Sequence, residues 1–366
     1  MIYCNPNPFN REENFCMKTL KIGVLGAGNI GRVHIERLRK VQGVEIAAVS
    51  DASEAAASAA ARDYSIPDSF TDYRSLLKVR DIDGVYICTP NAFHRDMAVN
   101  SLRAGKHVFC EKPMALNSAE ASRMLDAARE NERMLFMGFC NRFRGKSQGL
   151  KKMIDAGKLG EIYHCVVNVV RRRGVPAIGS WFTQKSLSGG GALIDIGVHM
   201  LDLNLWFMGF PKPVSVSGAT YMKFGHRKDY VYTSMWGKPV PGGIFDVDDY
   251  ATALIRFENG STLTLECSWA ANVPTTSWTS YVMGDKGGAK FDLNADLEVY
   301  TEDTGFIADL RPQFVEPDVY QAINDHFVCC LRGTAQPLCT AEQGLVVQKI
   351  IDGIYKSSQM GKEVRV

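Results

Sequence analysis

The sequence predicts two domains: an α/β domain on a parallel sheet, then an α+β domain with a large, mostly antiparallel open sheet. Three observations carry that prediction. The 366 residues exceed a typical single domain, and about 150 residues per domain gives two. The first 140 residues alternate apolar strand-like runs with helix-like segments, the pattern of a parallel sheet with helices on both faces. Beyond Cys140 strands follow one another directly, with the hairpin signal Glu258-Asn259-Gly260 between two of them.

Taken in order, strand-like Lys21-Ile-Gly-Val-Leu25 breaks at a glycine-rich turn and a helix follows over 32–40. A second strand, 44–49, reaches Asp51, with a helix over 52–62. Next come a helix at 73–78, a buried strand at 84–88 and a helix over 93–104. A strand at 107–110, a helix over 118–131 capped by Asn117, and a last strand at 134–138 complete the unit. In the second part a helix is expected at 149–156, a strand at 161–170, and a helix from 192 to 208 after Gly189-Gly190-Gly191. Strands at 249–257, 261–269, 278–283 and 289–293 precede helices at 319–331 and 341–360. The domains are therefore 18–140 and 141–366, with the C-terminal helices packing back on the first. Residues 1–17 are expected to be a disordered extension, with Met17 a second candidate start of translation.

The first turn reads Gly26-Ala27-Gly28-Asn29-Ile30-Gly31, a G-x-G-x-x-G between a strand and a helix, and Asp51 lies 51 − 31 = 20 residues past its last glycine. That context makes it a dinucleotide fingerprint. Gly26 allows the tight turn, Gly28 lets the backbone approach a pyrophosphate, and Gly31 lets helix and strand pack closely. The helix N-terminus offers free N–H groups to the phosphates. Asp51 would accept hydrogen bonds from the adenosine ribose and repel a 2′-phosphate, which predicts NAD rather than NADP. The plainer alternative is an ordinary glycine turn with Asp51 capping the next helix.

Composition excludes other classes of partner. With 42 basic against 40 acidic residues the net charge is +2, so neither nucleic acid nor an anionic membrane surface is indicated. The N-terminus lacks the basic start and apolar core of a signal peptide, and no apolar run is long enough to span a membrane. Several of the ten cysteines sit in apolar strands without C-x-x-C spacing, which fits free thiols and the cytoplasm. Strand 261–269 carries apolar residues to spare, so a second subunit is expected to cover the open sheet, as a homodimer or homotetramer.

Two loops at carboxyl ends of parallel strands are chemically loaded: Thr89-Pro90-Asn91 with His94, and Glu111-Lys112-Pro113. Lys112 places a cation at the cofactor edge, where it can exchange a proton with a substrate hydroxyl. A solvated lysine in a helix-entry turn is the competing reading. Asp195 and His199, at i and i+4 of a helix after three glycines, present a carboxylate and an imidazole on one face. A satisfied core pair is the alternative. Two obvious ligands do not make a metal site, and hydride transfer needs none. Arg171, Arg172 and Arg173 with Trp181 and Phe182 are expected to wall the pocket, and Asn141 and Arg142 to reach the ligand.

From Thr19 onward the chain resembles the glucose-fructose oxidoreductase, inositol dehydrogenase and MocA family. The resemblance rests on the glycine turn, Asp51, Thr89-Pro90-Asn91 with His94, Glu111-Lys112-Pro113, Gly138-Phe139 with Asn141-Arg142-Phe143, and Asp195-x-x-x-His199. It implies a Rossmann domain, a second domain whose sheet makes the oligomer contact, and NAD(P)-dependent oxidation of a sugar or cyclitol hydroxyl. It also implies that Lys112, Asp195 and His199 line the reaction site, with Lys112 or His199 taking the proton and Asp195 orienting the base. A redox-assisted glycosidase and a non-catalytic sugar sensor are the alternatives within that resemblance.

Overall fold

The structure, a computed structural model, describes residues 18–227, 229–232 and 236–366. The expected N-terminal extension lies outside the described residues. Six strands form the first sheet: β1 Leu20–Leu25, β2 Val44–Ser50, β3 Asp68–Phe70, β4 Ile82–Ile87, β5 His107–Cys110 and β6 Leu135–Met137. All pair in parallel, in the order β3-β2-β1-β4-β5-β6. The order reverses between β1 and β4, and ligands bind outside the strand ends at such a switch point. Helices α1 Asn29–Leu38, α2 Glu54–Tyr64, α3 Tyr73–Leu77, α4 His94–Arg103 and α5 Ser118–Glu130 connect the strands. β1 and β4 are near-continuous apolar runs because both faces are covered. β3 escaped the sequence reading: Asp-Ser-Phe has no apolar run and sits at an exposed edge.

The second unit begins with α6 Gly145–Asp155, β7 Ile162–Val170 and the short α7 Lys185–Ser188. A single π-helical turn, Leu193–Gly197, then runs into α8 Val198–Phe207. Strands β8 Pro213–Tyr221, β9 Tyr250–Phe257, β10 Thr262–Ser268, β11 Ser277–Gly284, β12 Gly287–Asp292, β13 Glu298–Asp303 and β14 Phe306–Leu310 precede α9 Val319–Leu331, α10 Ala341–Met360 and β15 Val364–Arg365. Their sheet has nine strands, in the order β14-β13-β12-β11-β7-β10-β9-β8-β15. β7 and β10 pair in parallel, and its other pairings among the described residues are antiparallel.

Alternation decides which face is covered. On β7, Cys165, Val167 and Val169 are buried, and on β10 so are Leu263, Leu265 and Cys267. Against that face lie α8, on β7 and β11, and α10, on β8. α8 is buried along its length except at His199, so its apolar residues run round the whole helix with Asp202 and Asn204 buried among them, and each fully buried Leu contributes about 1.5–3 kcal/mol. The opposite face, with Thr264 beside Val166 and Glu266 beside Asn168, is half-buried and carries the exposed Tyr281. The chain then returns to the first unit, since α9 packs on α1 and α10 on α5. No helix among the described residues is long and apolar enough to cross a membrane. Cys88, Cys110, Cys140, Cys165, Cys267, Cys330 and Cys339 are free thiols, whereas Cys329 is disulfide-bonded, which the sequence reading did not anticipate.

Candidate active site

A cavity of about 820 Å³ opens at the carboxyl ends of β1, β2, β4 and β5. Asp51, just past β2, and Lys112, just past β5, both line it, and with β1 and β4 between them they stand three strand spacings, about 14 Å, apart. An elongated ligand therefore fits better than a compact one.

The glycine turn lines the cavity with Gly26, Gly28, Asn29 and Ile30. A Cβ on residue 31 would lie 2.0 Å from the Gly26 carbonyl oxygen, so glycine is required for α1 to sit against β1. A Cβ on residue 28 would meet nothing within 4 Å, which leaves open space beside the helix start. No side chain caps α1, so its first N–H groups are available to phosphate oxygens. Asp51 accepts from Ala27 N and Ser53 N, both at 2.9 Å, and so ties the glycine turn to the end of β2. The cap of α2 is Ser53, which accepts from Ala56 N, so Asp51 is not that helix's cap. These residues fit a dinucleotide.

Thr89, Pro90 and Asn91 also line the cavity, and Asn91 Nδ2 donates to Ser188 O at 2.8 Å, linking the two units. His94 does not reach it. Its buried ring contacts Thr89 O and Pro113 O, both at 2.9 Å, bracing one loop against the other, and burial pushes its pKa down. Glu111 is held by residues the sequence reading missed. Its Oε1 meets His34 Nε2 at 2.8 Å, and the other nitrogen of His34 meets Asn324 Oδ1 at 2.8 Å. The signal for His34 was its place one turn into α1, on the side that faces the sheet.

Lys112 and Asp195 meet across the two units: Lys112 Nζ donates to Asp195 Oδ1 at 3.1 Å and to Asp195 O at 2.9 Å. An ammonium has three N–H groups, so one is left for a ligand. Trp269 Nε1 donates to the other carboxylate oxygen at 2.9 Å. Burial would raise the Asp195 pKa, but Lys112 and Arg171 together with these hydrogen bonds outweigh it and hold the carboxyl below its ordinary value. His199 lines the same cavity, and its pKa lies well below 6.5, first through burial and then through the Lys112 charge. Its imidazole is neutral at pH 7. Asp195 and His199 share no hydrogen bond among the described residues, so Asp195 does not orient His199 directly as the resemblance implied.

Asp195 lies on the π-helical turn rather than on a regular α-helix. The turn is set by buried Asp248, which accepts from Gly191 N at 2.7 Å, Leu193 N at 3.0 Å and Tyr355 OH at 2.8 Å. Arg171, Trp181 and Phe182 line the cavity as expected, whereas Arg172 and Arg173 do not and donate instead to Pro274 O and Ala271 O.

Asn141 and Arg142 do not line it, and this corrects the expectation that they reach the ligand. Asn141 is buried, accepting from Arg144 Nε at 3.0 Å. Arg142 is fully buried, paired with Asp202 at 2.6 and 3.0 Å, and its Nη1 donates to Leu338 O and Gln343 Oε1, both at 2.6 Å. Four of the five guanidinium N–H groups are thus bonded inside the protein, and the fully buried side chain is not presented to the cavity.

Comparison with known proteins agrees with this architecture. Residues 20–139 match a family model described as an oxidoreductase family with an NAD-binding Rossmann fold, and residues 147–290 match the GFO/IDH/MocA C-terminal domain. The chain is 33% identical over 350 residues to the D-glucoside 3-dehydrogenase of Escherichia coli K12, covering 95% of this chain and 97% of that protein. It is 29% identical over 316 residues to the levoglucosan dehydrogenase of Pseudarthrobacter phenanthrenivorans, covering 81% and 79%. Among solved structures, an oxidoreductase domain protein from Kribbella flavida superposes with a TM-score of 0.83 at 25% identity, over 96% of this chain and 100% of that one.

Proposed function

The chain belongs to the Gfo/Idh/MocA family of oxidoreductases, and from that premise we propose that it oxidises a secondary ring hydroxyl of a sugar or cyclitol, with NAD as hydride acceptor. The observation that carries the proposal is the Lys112–Asp195 pair beside neutral His199, on the cavity wall about 14 Å from Asp51. When bound, NAD supplies the electrophilic nicotinamide carbon that takes the hydride. The third N–H of Lys112 binds the reacting oxygen and stabilises negative charge as it develops there. His199, neutral at pH 7, accepts the hydroxyl proton. Asp195 holds the Lys112 ammonium in place and is itself fixed by Trp269.

Asp51 supports NAD over NADP, because its carboxylate would repel a 2′-phosphate. A second copy of the chain covers the half-buried sheet face, as a homodimer or homotetramer; a monomeric mass by light scattering would overturn that part. The deciding experiment follows absorbance at 340 nm with NAD and NADP across monosaccharides, cyclitols and D-glucosides, the last chosen because of the Escherichia coli relative. Reduction by at least one ring alcohol is expected, faster with NAD. Cofactor binding without reduction across the panel would replace the dehydrogenase by a sugar sensor.

A further inference from the structure

We propose that the mouth of the cavity holds a second subsite, formed by Trp181, Phe182, Trp236 and Trp278, for the ring attached to the oxidised sugar. The substrate is then a glycoside with a flat-faced aglycone, not a free monosaccharide. The inference rests on the sugar-dehydrogenase reading above and narrows it. All four rings line the same cavity as Lys112, Asp195 and His199, yet they come from three separate stretches of chain. Trp181 and Phe182 stack with centroids 3.8 Å apart at 25°. Trp278 carries the Arg171 guanidinium 5.4 Å from its ring centre. Trp236 is 56% exposed, and neither it nor Trp181 nor Phe182 packs into the hydrophobic core. Three rings kept out of the core, gathered on one cavity with Trp278, which packs against the core, form a surface for another flat apolar group.

Hydrogen bonds hold the chain at 223–225 and, past Trp236, at 240–246. The Asp249 carboxylate accepts from the N–H groups of Lys223, Phe224 and Gly225. Val240 N donates to Ile178 O at 2.7 Å, and Asp246 N to Thr183 O at 3.1 Å. The Thr183 hydroxyl donates to Ile244 O at 2.7 Å, and Lys185 N to Asp246 Oδ1 at 2.6 Å. The Trp236 stretch is thereby tied to the one bearing Trp181 and Phe182. The Arg171 guanidinium donates one hydrogen bond among the described residues, to Gly174 O at 3.2 Å, so its other N–H groups can meet hydroxyls where the two rings of a glycoside join. One pyranose ring offers two faces for stacking, and even with Trp181 and Phe182 counted as one stacked unit, the cavity presents three aromatic surfaces.

The test compares kcat/KM for glucose, methyl β-glucoside, phenyl β-glucoside and cellobiose in the native protein and in Trp236→Ala and Trp236→Phe. The phenyl glucoside or cellobiose should exceed the methyl glucoside, and which of them leads tells an aryl aglycone from a sugar one. Trp236→Ala should cut that preference about three- to tenfold, and Trp236→Phe should restore most of it. Equal values for methyl and phenyl glucosides, or a preference untouched by Trp236→Ala, would overturn the subsite and leave the dehydrogenase standing. If no sugar supports turnover, quenching of tryptophan fluorescence by phenyl β-glucoside still decides: saturable quenching weakened in Trp236→Ala supports the subsite, and no quenching overturns it.

Discussion

Replacing Arg142 by Met removes a guanidinium that is wholly buried and leaves Asp202, also buried, without its cation. Breaking such a pair from one side costs about 3–5 kcal/mol, because a carboxylate stays in the interior uncompensated. The cost should depend on pH, and its sign follows from Asp202. Burial already pushes the Asp202 pKa up, and Arg142 opposes that push. Without Arg142 the folded-state value rises further above the unfolded value of about 3.9, so Asp202 takes up a proton in the folded variant. A raised folded pKa favours the fold at low pH and loses that advantage as pH rises through it. The variant's deficit against the native protein should therefore be small near pH 4, grow by up to about 1.4 kcal/mol per pH unit, and level off above the new pKa. Urea unfolding between pH 4.5 and 8 measures it, and adding Asp202→Asn should abolish the slope. A deficit below about 1 kcal/mol at pH 7.5 would refute the buried-pair account. Undiminished stability with a tenfold higher sugar KM would return Arg142 to the substrate.

Two further outcomes concern the cavity. Lys112→Ala should lower kcat about 10²–10³-fold while NAD affinity, followed by fluorescence quenching, stays within about twofold; retained turnover would remove Lys112 from the chemistry. Because the His199 pKa is depressed, the acid limb of kcat/KM should fall below pH 6.5, and native stability should decline as pH drops below 6.5 while the unfolded imidazole takes up its proton. In His199→Gln, that part of the decline should vanish from urea midpoints.

The parallel-sheet half was legible because long apolar strands, glycine turns and capping residues are local signals, and Asn117 caps α5 as its sequence suggested. Helices α9 and α10 begin and end where their patterns do. What stayed hidden was non-local. β3, β8, β13, β14 and β15 are edge or near-edge strands whose polar alternation looks like loop until a neighbour supplies hydrogen bonds. Asp195 and His199 come to one cavity, but Asp195 is bonded by Lys112 and by Trp269, the latter 74 residues away, and nothing in the spacing announces that second bond. Arg142 misled because an arginine beside a cofactor-binding strand reads the same whether it faces substrate or Asp202.

The place of β7 in the middle of the nine-stranded sheet has a consequence for synthesis. Its neighbours, β10 and β11, arrive about a hundred residues later, as the 98-residue separation of His164 from Thr262 shows. At about 5–20 residues per second, β7 leaves the ribosome some 5–20 s before either edge can be paired. Nascent chains halted at residue 250 should lose β7 to protease, and chains halted at residue 330 should keep it. During that interval two open strand edges invite pairing with other chains, an exposure that ends only when β10 and β11 arrive.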